Sequence, residues 1–215
     1  MIIAIDGPAG SGKGTIAKLV SERLNFINID TGAMYRCVAL KMLENKIALE
    51  EYDDIHKILN DIEIDFDGEK VILNGKDVSK DIRTIEVSNF VSPVSTIGFV
   101  REKMVDLQRD LGKRNNVIME GRDIGTVVFP NAELKIYLDA TPEERARRRV
   151  AQNAENNIES NYEQILKDII ERDTRDSTRE ISPLKKADDA IVIDSTHLTI
   201  EEVVSKVVEL AKNRM

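Results

Sequence analysis

Lys13 sits in a run of small residues, Gly7-Pro8-Ala9-Gly10-Ser11-Gly12-Lys13-Gly14-Thr15. The spacing Gly7-x4-Gly12-Lys13 fits the G-x-x-x-x-G-K core of a phosphate-binding loop. Glycines let backbone N–H groups turn inward onto a polyphosphate. The partial positive charge of a following helix N-terminus adds to this pull, and Lys13 supplies a point charge for the outer phosphates. Gly14 stands where Ser or Thr is usual and Thr15 comes one place later, so no residue is assigned to a metal. The plain alternative is a glycine turn that binds nothing.

Further cations fall where they could meet a second phosphate. Arg36 lies in the second turn of a helix opened by Asp30-Thr31-Gly32-Ala33-Met34-Tyr35. Glu120-Gly121-Arg122-Asp123-Ile124-Gly125 follows the apolar run Val117-Ile118-Met119, at a strand's carboxyl end, where open parallel sheets bind ligands. A surface ion pair is the plain alternative there, with Asp123 doing no more than orienting Arg122. Arg172, Arg175 and Arg179 recur at i, i+3, i+7 and are expected on one helix face, mobile or solvent-facing without ligands and drawn in when two nucleotides bind, with Asp173 and Asp176 between them. Arg145, Arg147, Arg148 and Arg149 crowd another helix, where Glu143 and Glu144 precede Arg147 and Arg148 by four residues, so part of that run reads as a self-paired, solvated face.

The elements that must hold these groups alternate. Met1 to Ile5, Phe26 to Ile29, Val117 to Met119, Leu134 to Leu138 and Ala190 to Ile193 read as short buried strands. Helical spacing follows the loop from Thr15 to Leu24, continues after Asp30, and recurs at 50–61, about 80–92, 97–114, from Thr141 and from Tyr162. Gly112 and Asn115-Asn116 end the 97–114 helix. Thr141-Pro142-Glu143-Glu144 and Thr199-Ile200-Glu201-Glu202 both predict capping boxes. Between helices, Ile62 to Val78 changes texture, with Asp67-Gly68 and Asn74-Gly75 as hairpin signals that predict a three-stranded antiparallel meander. Residues 153–161 are polar, with three asparagines in 153–157, and predict a mobile connection. Strand–helix alternation predicts an α/β fold, a parallel sheet covered on both faces.

Composition limits the function. The 215 residues are 41% apolar and 33% charged, with net charge −8 and one cysteine. That is a soluble globular composition in a single domain, against a general nucleic-acid binder and without any disulfide or cysteine metal cluster. Cys37 reads as a packed thiol. No apolar run nears the ~20 residues of a membrane span. His56 and His197 have no ligand-type companions, which leaves no His metal site and no Ser-His-Asp triad.

Gly7 to Thr15 resembles the phosphate loop of nucleoside monophosphate kinases, where Gly-Thr after the lysine is usual. Asp30 to Arg36, Asp81-Ile82-Arg83-Thr84, Glu120 to Pro130 and Glu171 to Asp176 are similar to bacterial cytidylate kinases over nearly the whole length. Adenylate kinases have a much longer lid and lack the insert near 62–78. The resemblance implies a P-loop NTPase fold with a mostly parallel sheet, a small antiparallel insert and a short arginine-rich lid. It implies one kinase domain over 1–215, with 1–30, 93–150 and 180–215 as core. The monophosphate-binding region would be 31–92, with its insert at 62–78, and the lid 151–179.

By the same resemblance, residues 7–15 would hold ATP phosphates with Mg2+, and Arg36, Arg122 and Arg179 the CMP phosphate. Ser92, Arg101 and Asp123 would surround cytosine, Arg172 and Asp176 the sugar, and Thr31 would offer a hydroxyl to the substrate. Lys13, Arg122, Asp123, Arg175 and Arg179 would carry the chemistry. CMP and dCMP are the implied substrates of a cytoplasmic monomer without nucleic-acid or membrane partners. A phosphate-loop kinase of another metabolite such as UMP, or a nucleotide-dependent switch, would share the loop. The sequence specifies no water-positioning or effector element for a switch.

Overall fold

The computed structural model describes residues 1–113, 116–155 and 157–215. Asn115, expected to help end a helix, and Asn156 of the polar connection lie outside the described residues.

In chain order, β1 (Ile2–Asp6) leads through the glycine loop into α1 (Lys13–Leu24), then β2 (Ile27–Asp30) and α2 (Thr31–Glu44). Next come α3 (Tyr52–Asn60), β3 (Ile64–Asp67), β4 (Lys70–Leu73), β5 (Lys76–Asp77), α4 (Ile85–Val94) and α5 (Gly98–Gly112). The chain closes with β6 (Val117–Gly121), β7 (Leu134–Asp139), α6 (Pro142–Glu155), α7 (Tyr162–Thr178), β8 (Ile191–Asp194) and α8 (Ile200–Lys212). Two compact units result, residues 1–28 with 115–215, and residues 29–114.

The first unit is built on a five-stranded sheet of order β2-β6-β1-β7-β8. Parallel pairing joins β1 to β6 and to β7, and β7 to β8. Apolar runs such as Ile2-Ile3-Ala4-Ile5 suit it, because a parallel strand is buried on both faces. On one face Ile3, Ile5, Ile136 and Leu138 pack against Ile16 and Val20 of α1 and Val203 and Val207 of α8. Register sets Asp6 opposite Gly121 on one side and Tyr137 on the other. The strand order reverses at β1, so the crevice beyond its carboxyl end is the place for a ligand. Glu120 and Gly121 continue β6 rather than leaving it for a loop.

Both expected capping boxes start helices, but only one is complete. At α8 the Thr199 hydroxyl accepts from Glu202 N–H at 3.3 Å while the Glu202 carboxylate takes Thr199 N–H at 2.8 Å. At α6 Thr141 accepts from Glu144 N–H at 3.3 Å, whereas its own N–H donates to the Thr196 hydroxyl at 3.1 Å. The Glu144 carboxylate is taken instead by Arg147 at 3.1 Å and Arg148 at 3.0 Å, the self-pairing that the sequence predicts.

In the second unit Asp30 caps α2, its carboxylate accepting from Ala33 N–H at 2.9 Å. The meander forms as expected, and Ile62, Ile64, Val71, Leu73 and Val78 are buried. One turn is shifted. Asp67 pairs with Lys70, so the loop residues are Gly68 and Glu69, and only Gly68 takes positive φ (60°). Asn74 (48°) and Gly75 (78°) both take it, as an Asn-Gly hairpin requires. The helix expected over 80–92 is broken into a short 3-10 turn at Asp81–Arg83 and α4. Thr84 divides them, in extended conformation, with its hydroxyl accepting from Val87 N–H at 3.3 Å.

Candidate active site

The loop's shape is imposed by two glycines. At Gly7, φ is 153° and an added Cβ would lie 2.1 Å from the Leu138 carbonyl oxygen of the neighbouring strand. No other residue fits there. Gly12 caps α1 in the left-handed region at φ 91°. Between them run Pro8, Ala9, Gly10 and Ser11, the Ser11 side chain buried. Lys13 is the first residue of α1, and Gly14 and Thr15 follow, exposed, in its first turn.

Lys13 is folded back on this loop. Its Nζ donates to the Pro8 carbonyl at 2.7 Å and to the Ser11 hydroxyl at 3.4 Å. Burial pushes the ammonium down to about 7, with Arg122 acting the same way and Glu120 and Asp6 opposing. Asp6, at the end of β1, accepts the N–H groups of Ile124 at 2.9 Å and Gly125 at 2.7 Å. Burial pushes the Asp6 carboxyl up to about 6 against those two donors. Asp6 thereby anchors a wide helical turn over Ile124–Val128 that the sequence did not predict. Its charge is spent on that turn.

Arg122 leaves β6 and meets α7. Its Nε donates to Asp176 at 2.9 Å. Burial lowers the guanidinium's proton affinity, but Asp176 outweighs it and the group is held above its usual value. Burial likewise raises the Asp176 carboxyl, while Arg122 and Arg172 outweigh it and hold it below the usual carboxylate range. Arg172 and Arg179 each approach Asp176 at 3.9 Å. Asp123 is buried and faces Arg179 at 3.9 Å. The Arg122 carboxylate partner is therefore Asp176, and Asp123 is no surface ion pair.

The shared arginine face is only partly realised. α7 ends at Thr178, and Arg179 follows in extended conformation (φ −61°, ψ 143°), its side chain 7% exposed. Arg179 turns inward onto Asp176, while Arg172 reaches the same carboxylate with its side chain still 37% exposed. Arg175 lies exposed on α7. Helical periodicity misplaced Arg179 because it assumed that the helix continues.

Arg145 was passed over in its arginine-rich run. Its side chain is 3% exposed and donates to the Ala9 carbonyl at 2.8 Å, the Ala140 carbonyl at 3.0 Å and Asp173 at 2.6 Å. One signal was available: Arg147 and Arg148 have a glutamate four residues earlier, and Arg145 has Thr141. A cavity of about 380 Å³ borders this residue, lined also by Pro8, Tyr137, Asp139, Asp173 and Asp194.

In the second unit Thr31, Ser92 and Arg101 are buried. Arg101 lies 5.3 Å from the Tyr35 ring centroid and donates to the Ser95 carbonyl at 3.1 Å. Arg36 donates to Asp30 at 2.6 Å, while its Nε is buried without a partner among the described residues. A guanidinium with an unused buried donor suits an incoming anion. Cys37 is buried, and desolvation pushes its thiol up to about 12, as befits a packed residue.

Among the described residues no group of three or more His, Cys, Asp and Glu could hold a metal ion, and no helix is long and apolar enough to cross a membrane. The first unit thus offers an anion cradle at a helix start and a network of buried arginines and carboxylates. Such an arrangement positions phosphates and neutralises charge without a nucleophile of its own.

Comparison with known proteins agrees. A sequence profile of the cytidylate kinase family matches residues 3–213. The cytidylate kinase of Fusobacterium nucleatum subsp. nucleatum is 53% identical over 215 residues, covering 99% of each chain. That of Caldicellulosiruptor saccharolyticus is 53% identical over 212 residues, 97% of this chain and 94% of the other. Among solved structures, a shikimate kinase from Bacteroides thetaiotaomicron shares the fold with a TM-score of 0.50 at 12% identity, covering 99% and 98% of the two chains.

Proposed function

The chain belongs to the cytidylate kinase family, and from that premise we propose that it transfers the γ-phosphoryl group of ATP, with Mg2+, to CMP and dCMP. The products are ADP with CDP or dCDP, and the transfer is reversible. The enzyme works as a cytoplasmic monomer on small-molecule nucleotides.

Asp123 carries this assignment, because its buried carboxylate can only accept hydrogen bonds when ionised. Cytosine presents an amine where uracil presents a carbonyl oxygen, so an enclosed carboxylate favours the first and repels the second. In the second unit, Arg101 and Ser92 take shared features of the base, and Thr31 offers a hydroxyl. Arg36, Arg122 and Arg179 are each assigned to the acceptor's phosphate. Arg172 and Asp176 are assigned to the sugar.

Donor phosphates belong to residues 7–15. Lys13 exchanges the Pro8 carbonyl for a phosphate oxygen, and loop N–H groups and the α1 N-terminus add to the grip. For Mg2+ the loop end offers the exposed Thr15 hydroxyl, while Glu120 Oε1 lies 3.2 Å from where a Gly14 Cβ would be. Those oxygens fit a hard cation that draws most of its ligands from phosphates and water. Bound there, Mg2+ supplies charge neutralisation on the transferring group. Lys13, Arg122, Arg175 and Arg179 spread the rest of that charge, and the acceptor's phosphate oxygen attacks in line. The lid region keeps water from competing as nucleophile.

Product analysis separates this kinase from a hydrolytic switch that shares the loop. Incubation with ATP, Mg2+ and CMP should yield CDP and ADP in equal amounts. Inorganic phosphate with ADP and no CDP would mark a hydrolytic switch instead.

A further inference from the structure

Helix α7 is anchored by buried charge in addition to a half-buried apolar face. Asp176 is its buried residue, while Ile165, Leu166 and Ile169 stay partly exposed and Ile170 is 48% exposed. Two carboxylates one turn apart reach the rest of the unit, Asp176 to Arg122 and Asp173 to Arg145. Asp176 and Arg122 belong to the site already assigned. Asp173 and Arg145 have no part in it.

Arg145 uses three nitrogens for three elements. Nε holds Ala140 at the end of β7, one terminal nitrogen holds Ala9 in the phosphate loop, and the other holds Asp173 on α7. A Cβ added at Gly10 would lie 3.5 Å from the Arg145 Cβ, so the loop rests directly on this side chain. The 380 Å³ cavity is lined by both Arg145 and Asp173, so close packing does not lock α7 against the strand ends. A planar, permanently charged fork can hold such a three-way junction, whereas a lysine ammonium cannot match its geometry.

We propose that Arg145 is a positioning residue for phosphoryl transfer. It passes the state of the phosphate loop at Ala9, through Asp173, to Arg172 beside it and to Arg179 beyond it on the same chain segment. A triphosphate that tightens the loop thereby sets the arginines that receive the monophosphate. This rests on the kinase function proposed above.

The test is calorimetric titration of CMP, alone and with a non-hydrolysable ATP analogue. In the unaltered enzyme the analogue should tighten CMP by about fivefold or more, the usual range of coupled sites. Asp173→Asn keeps the side chain's shape and removes its charge at a partly exposed position, so the protein should still fold. In it the coupling factor should fall to about one or two, with CMP alone bound within about twofold of normal. Arg145→Lys should behave alike, and the double variant should lose nothing further, since the pair acts as one unit. Unaltered coupling in Asp173→Asn, or equal weakening of CMP with and without the analogue, would overturn the proposal. Absence of coupling in the unaltered enzyme would overturn it too. If another monophosphate proves to be the substrate, that nucleotide replaces CMP in the titration, so a wrong substrate and a wrong strut give different results.

Discussion

The Lys13 ammonium donates to the Pro8 carbonyl at 2.7 Å, so the loop's own cation rests on the loop's own backbone. Burial pushes it down to about 7 in the free protein. Incoming phosphates reverse this by stabilising the charged form, so triphosphate binding at pH 8 should take up protons, approaching one per site. Titrations in buffers of different ionisation enthalpy will measure the uptake, and Lys13→Met should abolish it. Stability follows with the opposite sign. The unfolded chain holds that proton to about 10.5, so this group makes the free protein more stable as pH rises from about 7 towards 10. Buffer-independent binding enthalpy would contradict the assignment. Lys13→Met should also remain folded and lose on the order of a thousandfold or more in kcat.

Gly7→Ala should fail for a different reason. Its Cβ would collide with the Leu138 carbonyl at 2.1 Å, and backbone cannot step aside cheaply. A loss of about 2–4 kcal/mol is expected, with donor affinity falling alongside. Thermal unfolding measures it, and an unchanged Tm would show that the loop tolerates another shape.

Asp123→Asn should narrow the preference for CMP over UMP. An amide can donate to the uracil oxygen where the carboxylate repels it, so about ten- to a hundredfold of discrimination is at stake. Arg101→Ala should weaken both substrates alike. If Asp123 did no more than hold Arg179, 3.9 Å away, both nucleotides would fall by one factor and the ratio would stand.

Local patterns explain what the sequence revealed. Apolar runs located the parallel sheet, Asn74-Gly75 a hairpin of the separate meander, and Thr199 with Glu202 the last helix. The phosphate loop was legible because its glycines answer a local backbone demand. Arg145 was not, because its three partners at Ala9, Ala140 and Asp173 come together only through the fold. The same holds for Asp6, whose carboxylate at the end of β1 anchors a turn 118 residues away. Arg179 shows the limit of periodicity, which projects a helix past the residue where it stops.

The central claim is best met by kcat/KM for CMP, dCMP, UMP, AMP and GMP, each with ATP and Mg2+, followed as ADP release. CMP and dCMP should be turned over efficiently, UMP about ten- to a hundredfold less so, and the purines barely above background. Preference for UMP or a purine over CMP, or ADP release indifferent to the monophosphate, would contradict it.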